Sequence, residues 1–343
     1  MKQFLLTTMI ICCSAFVLSL TANNRYYVHP EGAGEGTDWE NAFSDLQAAL
    51  AVAQEGDEIW VATGTYVPTT EDDRSASFAI PSGVKVYGGF LGTEETLEER
   101  NTEANITILS GEIGDAAVAE DNSYSVVYFS NVSAATVLDG FVITGGYADG
   151  LVEGADLSTC GAGVFNNGEA GASSPIIANC LFLENFSREG AAIYNYANEG
   201  EASPTISDCK FVYNRSDFNG GAIFNDGNFG TCNPTIKNCS FEGNESMYGA
   251  GILNRGLYGE CQPTISDCLF AENLSIVRGG AIYNQREGRG ICEAMMSGNV
   301  FDNNVTTIGD PDVEQTIKLK GGKVQPRRSG IQQRPATASD IAY

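Results

Sequence analysis

Between residues 161 and 304 the apolar positions fall in short β-branched and aromatic runs, each broken within a few residues by Gly, Pro, Asn or Asp. A helix would space them three and four apart and favour good helix formers, so the pattern predicts strands and bends. The runs also recur. "GAGVFN" at 161, "GAAIYN" at 190, "GGAIFN" at 220, "GAGILN" at 249 and "GGAIYN" at 279 start 29 or 30 residues apart. A second block follows each of the first four, "SPIIANCLFLEN", "SPTISDCKFVYN", "NPTIKNCSFEGN" and "QPTISDCLFAEN", and the fifth decays to "SGNVFDNN". A repeat of this length made of short strands is one turn of a coil, whose strands pair in parallel with those of the next turn about 4.8 Å away. The expected fold is all-β, a parallel β-helix wound from a single chain.

Stacking gives each column a reason. Val164, Ile193, Ile223, Ile252 and Ile282 fill the interior, as do Phe182, Phe211, Phe241, Phe270 and Phe301, while Gly-Gly or Gly-Ala turns the chain where a side chain would clash or φ is positive. Asn166, Asn195, Asn225, Asn254 and Asn284 form one asparagine column, and Asn185, Asn214, Asn244, Asn273 and Asn304 a second. A buried bend strands backbone amides and carbonyls, and stacked carboxamides can satisfy them while bonding one another. The second column also reads as Asn-x-Ser/Thr, the glycosylation acceptor pattern, but the coil already accounts for its regularity and should turn these side chains inward.

Ahead of the repeats, residues 23–60 predict a cap and first coil. "YYV" is a strand candidate, and Thr37 with Glu40 makes a capping box leading into a helix with Phe43, Leu46 and Leu50 on one face. Such a helix would cover the open end of the stack. Less regular coils join it to the repeats, so 61–308 forms one β-helix domain, and the polar, basic stretch 309–343 reads as a disordered tail. Residues 1–22 read as a signal peptide, Lys2 preceding an apolar run that ends near Ala22, with an N-terminal membrane anchor as the competing reading. No other stretch is long and apolar enough to cross a bilayer, so the mature chain has no predicted transmembrane span.

Apolar residues make up 43% of the chain, enough for a core. The net charge is −25, and residues 23–308 hold 12 basic against 40 acidic groups. Nucleic acid and anionic membranes are therefore disfavoured partners. The acidity fits an exported protein, with calcium attraction a secondary reading. Cys180, Cys209, Cys239 and Cys268 form one column and Cys232, Cys261 and Cys292 another, with no CxxC pair to suggest zinc. The first column reads as buried free thiols; in the second, Cys232–Cys261 is the more plausible bridge in an oxidising compartment.

The "GGAI"/"GAGI" and "FLEN", "FVYN", "FEGN", "FAEN", "FDNN" motifs resemble the GGA(I/L/V) and FxxN repeats of chlamydial-type polymorphic outer membrane proteins. The stretch from "YYVHPEG" through "GDEIWVATGTY", "VKVYGGFLGTE" and "LDGFVITGG" is similar to the start of exported β-helix proteins of the pectate-lyase-like superfamily. Together these cover about residues 25–305. The resemblance implies a single-stranded right-handed parallel β-helix, secreted or displayed at the bacterial cell surface, outer membrane associated, in the first group often an adhesin. Residues after Ile308 depart from it, resembling neither the membrane barrel nor the sorting domain that ends such proteins.

For function two classes compete. Strand alternation sends Phe165, Tyr194, Phe224, Leu253 and Tyr283 outward when Ile223 and Asn225 point in, so Phe165, Tyr194, Phe224 and Tyr283 are ligand-binding candidates on an apolar stripe. Loops folded over the stripe, or aromatics turned inward, are the competing arrangements. An enzyme would need carboxylates or a base: Asp208 and Asp267 share a column two coils, about 9.6 Å, apart, and Arg215 lies near the Gly-Gly turn. Asn179 and Asn238 occupy the same column as the two aspartates, which favours a bend, and the single histidine, His29, sits at the covered end. The reading is a non-catalytic, monomeric β-helix that adheres to or binds an extracellular polysaccharide or a host or neighbour surface protein, with no required cofactor or metal; the alternative is a polysaccharide lyase or glycoside hydrolase.

Overall fold

The computed structural model describes residues 23–287 and 289–314. The expected signal peptide and residues 315–343 of the expected tail lie outside them. The chain winds into a parallel β-solenoid of about nine turns with one short helix. Each regular turn has four sides. In one coil these are Ile176–Ala178 (side one), Leu181–Leu183 (side two), Phe186–Glu189 (side three) and Ile193–Tyr196 (side four). Stacked over successive coils they give parallel sheets of nine, eight, six and eight strands.

The register is that of the sequence columns. Ile177 pairs with Ile206, then Ile236, Ile265 and Met296 on side one. Phe182 through Phe301 align on side two, their rings stacked 4.6–5.2 Å apart with interplanar angles of 5–12°. Val164 through Ile282 align on side four. These columns meet in one continuous core. Stacked phenylalanines add about 0.5–1.5 kcal/mol per pair beyond the area they bury, so this spine holds neighbouring coils in register as well as together.

The corners explain the punctuation. Asn179, Asp208, Asn238 and Asp267 turn side one into side two at φ of 51–57°. Glu184, Tyr213, Gly243, Glu272 and Asn303 do the same between sides two and three, and Ala170, Glu199, Phe229 and Tyr258 in the excursion from side four to side one. Between sides three and four Gly220 sits at φ 61°, and a Cβ there would lie 2.5 Å from the Ile223 carbonyl and 2.9 Å from the Phe224 Cβ. Left-handed backbone costs an L-residue about 1–2 kcal/mol; asparagine and aspartate lower that cost by local bonding, and here only glycine also escapes the clash.

Both asparagine columns are continuous hydrogen-bonded ladders. Asn166 donates to Asn195, Asn195 to Asn225, Asn225 to Asn254 and Asn254 to Asn284, at 2.7–2.9 Å. In the second ladder each Nδ2 also donates to a carbonyl one coil down, and each backbone N–H donates to the next Oδ1. The side chains of Asn185, Asn214, Asn244 and Asn273 are wholly buried, which removes them as glycan acceptors.

The cap differs in detail from expectation. The helix spans Leu46–Val52, capped by Asp45, whose side chain accepts from the Ala48 N–H, and buries Leu46, Ala49 and Leu50 against the first coil. Thr37 and Glu40 start no helix. Residues 32–43 instead run alongside the strand Arg25–Val28, with Phe43 N donating to Tyr27 O and His29 N to Phe43 O. That backbone pairing, helped by the glycines at 32, 34 and 36, outcompetes a helical start. At the other end Val313–Glu314 adds a strand to side four.

Candidate functional site

The aromatic column lies on the outer face of side four, as alternation requires, but it is not a surface. Phe165, Tyr194, Phe224 and Leu253 are at most 4% exposed and form a second core separate from the coil interior. Phe165, Tyr194 and Phe224 therefore present no open surface to a ligand, contrary to the expectation, and Tyr283 is a partly buried rung packed on them. The cover comes from neighbouring residues that do not repeat. Arg255 lies over the Phe224 ring at 4.7 Å and clamps Asp226 through two hydrogen bonds. Tyr248 closes one flank, and Ala155, Leu157 and Cys160 close the lower end. Tyr194 Oη donates to the buried Asp226 carboxylate at 2.8 Å. Burial, then the Asp226 charge, pushes the Tyr194 phenol well above its ordinary range. Burial opposes the Arg255 charge, yet Asp226 outweighs it and holds the guanidinium protonated.

The enzyme candidates sit at corners and on the surface of the coil. Asp208 and Asp267 sit in left-handed bends, and Asn238 Nδ2 donates to Asp208 Oδ1, so this column is a turn ladder. Arg215 is exposed, lies 5.2 Å from the Phe186 ring and is 3.7 Å from the Asp217 carboxylate. Nothing brings these three to one cavity. All eight described cysteines are free and buried, including Cys232 and Cys261. Among the described residues no group of three or more His, Cys, Asp or Glu could hold a metal, and no helix is long and apolar enough to cross a membrane.

What the repeat does not account for is a loop. Cys160 pairs with Glu189 one coil up, and Ala148 with Ser187. Eleven residues, 149–159, thus stand where the next coil has only Arg188. The inserted loop is pinned from inside by Leu157, by a Gly150 N–H···O=C Ser158 bond and by a return bond from the Cys160 N–H to Asp156 O. It leaves Leu151 and Val152 exposed, at 87% and 58%.

Beneath it opens a cleft of about 340 Å³, lined by Leu151, Val152, Glu153, Gly154, Thr159, Cys160, Arg188, Glu189 and Phe218. That is at the small end of ligand-sized pockets, roughly 300–1,000 Å³. Arg188 Nη1 donates to Gly150 O at 3.1 Å, and its guanidinium carbon lies 5.2 Å from the Phe218 ring. Asn219 Nδ2 donates to Glu189 Oε1 at 3.0 Å. Burial pushes the Glu189 carboxyl above the ordinary carboxylate range against the pull of Arg255, and burial pushes the Cys160 thiol up to about 12. Column reading could not find this site, because only the break in spacing between Ala148 and Cys160 marks it.

Residues 267–285 match the model of the Chlamydia polymorphic membrane protein repeat. The chain is a β-solenoid carrying that repeat. The match covers the side-two and side-three strands of one coil and the "GGAIYN" turn that follows. No curated protein matches the chain. Two solved structures resemble it: pectate lyase Pel9A, at 12% identity over 90% of this chain and 80% of that one with a TM-score of 0.42, and a rhamnogalacturonan lyase, at 13% over 87% and 86% with 0.33.

Proposed function

We propose that the protein is a non-catalytic β-helix displayed outside the bacterial cell, which binds an extracellular glycan in the cleft beneath the 149–159 loop. The observation that carries this reading is the cleft's composition: a charged donor and acceptor, Arg188 and Glu189, on its floor and apolar Leu151, Val152 and Phe218 on its walls. Sugar sites combine these features, since a pyranose presents hydroxyls at its rim and C–H groups on its faces. The repeat at 267–285 supports surface display.

The test is a glycan array probed with the intact chain, with released reducing ends and unsaturated sugar followed in parallel. Saturable binding, weakened at least tenfold by Phe218→Ala and by Leu151→Asp, is the expected result. Binding indifferent to both substitutions, or no glycan bound, overturns the reading. One observation favours hydrolysis as the second reading: Glu153 and Glu189 are two carboxyls in one cleft, with Glu189 held toward its acid form by burial. Turnover abolished by both Glu153→Gln and Glu189→Gln would replace binding with catalysis.

A further inference from the structure

The polar floor of the cleft is charge-balanced and half used. Arg188 spends one of its five N–H donors on Gly150 O and lies 5.2 Å from the Phe218 ring. Glu189 spends Oε1 on Asn219; Oε2 bonds to no described residue and is not sealed from solvent. Behind the lining Arg255 and Asp226 pair with each other, and their charges pull on Glu189 in opposite directions, so the floor itself presents one cationic donor and one carboxyl acceptor.

That balance selects against charged ligands. An anion on Arg188 would face Glu189 and the rim carboxylate of Glu153, on a body already strongly acidic. A cation on Glu189 would face Arg188 and Arg255. A neutral ligand that accepts at one atom and donates at its neighbour meets no such penalty, and two adjacent sugar hydroxyls have that form.

We infer that the cleft recognises a neutral saccharide by one vicinal hydroxyl pair, with an Arg188 N–H donating to one oxygen and Glu189 Oε2 accepting from the other hydroxyl, while Phe218 and Leu151 cover the ring. The inference rests on the glycan-binding reading. Asn219 is a positioning residue, since it holds the Glu189 carboxyl without lining the cleft.

Calorimetry on the intact chain tests it with defined probes: methyl glucoside, mannoside and galactoside, the disaccharides cellobiose, maltose and lactose, and the charged analogues glucuronate and glucosamine. One or more neutral sugars should bind, and the charged analogue of the same ring should bind at least tenfold more weakly. Glu189→Gln and Arg188→Ala should each weaken binding about tenfold, because each removes a charge-assisted hydrogen bond. Arg188→Lys, which keeps charge and loses the fork, should also weaken it, and Asn219→Ala should do so by a smaller factor. Melting temperatures within a few degrees of the parent certify each variant's fold. Tighter binding of glucuronate or glucosamine than of the neutral ring overturns the inference while leaving glycan binding standing. Parental affinity in both Glu189→Gln and Arg188→Ala does the same. A folded parent that binds none of these probes nor any arrayed glycan sinks both.

Discussion

Replacing Asn214 by alanine tests the ladder that closes the corner between sides two and three. Asn214 Nδ2 donates to Phe182 O at 3.0 Å and to Asn244 Oδ1 at 3.1 Å, and its Oδ1 accepts from the Asn185 backbone N–H at 3.1 Å and from Asn185 Nδ2 at 3.0 Å. Alanine strips the Asn185 N–H of its acceptor and takes a donor from the Phe182 carbonyl, both inside the stack. The Asn185 side chain keeps its bond to Ile143 O, and the Phe182 carbonyl keeps its place in the parallel ladder with Lys210–Val212, so the damage is one orphaned N–H and one carbonyl short of its second donor. At about 1–3 kcal/mol for the orphaned amide and about 1 kcal/mol for the lost bond, the loss is about 3 kcal/mol, a large share of the roughly 5–15 kcal/mol that holds a domain folded. Urea unfolding followed by circular dichroism measures it, with half-buried Asn198→Ala, whose side chain bonds only Glu169 outside the ladder, as the control. A loss under about 1 kcal/mol, or one equal to the control's, would refute the ladder as a load on stability. Asn214→Asp adds a sign: a buried carboxylate cannot donate to Phe182 O, so its folded pKa rises above the unfolded value of about 3.9. Stability relative to the parent is then retained below that value and lost as pH climbs, so the deficit should widen from pH 4 to pH 7.

Three further outcomes follow from the outer face of side four and the thiols. Arg255→Met leaves the Asp226 carboxylate buried with Tyr194 and without its cation, and should cost about 3–5 kcal/mol in urea unfolding, whereas the double change with Asp226→Leu should recover most of it. Glu189→Gln should raise the melting temperature at pH 7 and not at pH 4: the buried carboxyl's folded pKa is raised, so ionised Glu189 weakens the fold only above the unfolded pKa of about 4.3. In the native chain the eight described thiols should resist a thiol-specific chromogenic reagent at pH 8 and react fully in denaturant, because all eight are buried and burial pushes the Cys209 and Cys261 thiols well above their ordinary range.

The coil was legible because stacking makes sequence identity and spatial position the same thing. Ile223 sits on Ile193 and under Ile252, Asn225 on Asn195 and under Asn254, so a column in the text is a column in space. The direction of Phe224 was legible for the same reason. Its exposure was not, because burial of an outer face depends on what lies over it, and Asp226, Arg255 and Leu157 repeat nowhere along their columns. The capping box at Thr37 misled for a related reason: local propensity yielded to a backbone pairing with Arg25–Val28 that no single segment announces.

The same logic says where a solenoid of this kind can carry function. Inward positions are fixed by the rung above and the rung below, and a left-handed residue or a clash-free glycine fixes each regular corner. Asp208 and Asp267 show the consequence, two carboxylates at a suggestive separation whose column is one of left-handed corners. Freedom remains on outward strand positions and where the period is broken, and the break of ten residues after Ala148 is placed so that its outer half overhangs Arg188, Glu189 and Phe218 while its inner half seals the aromatic column. One insertion thus completes a second core and roofs a cleft, so cleft geometry and local stability are coupled. Leu157→Ala, which touches only the inner half, should therefore lower both the melting temperature and glycan affinity, while Leu151→Asp on the outer half should lower affinity alone; equal melting losses in the two variants would show that the halves are not divided in this way.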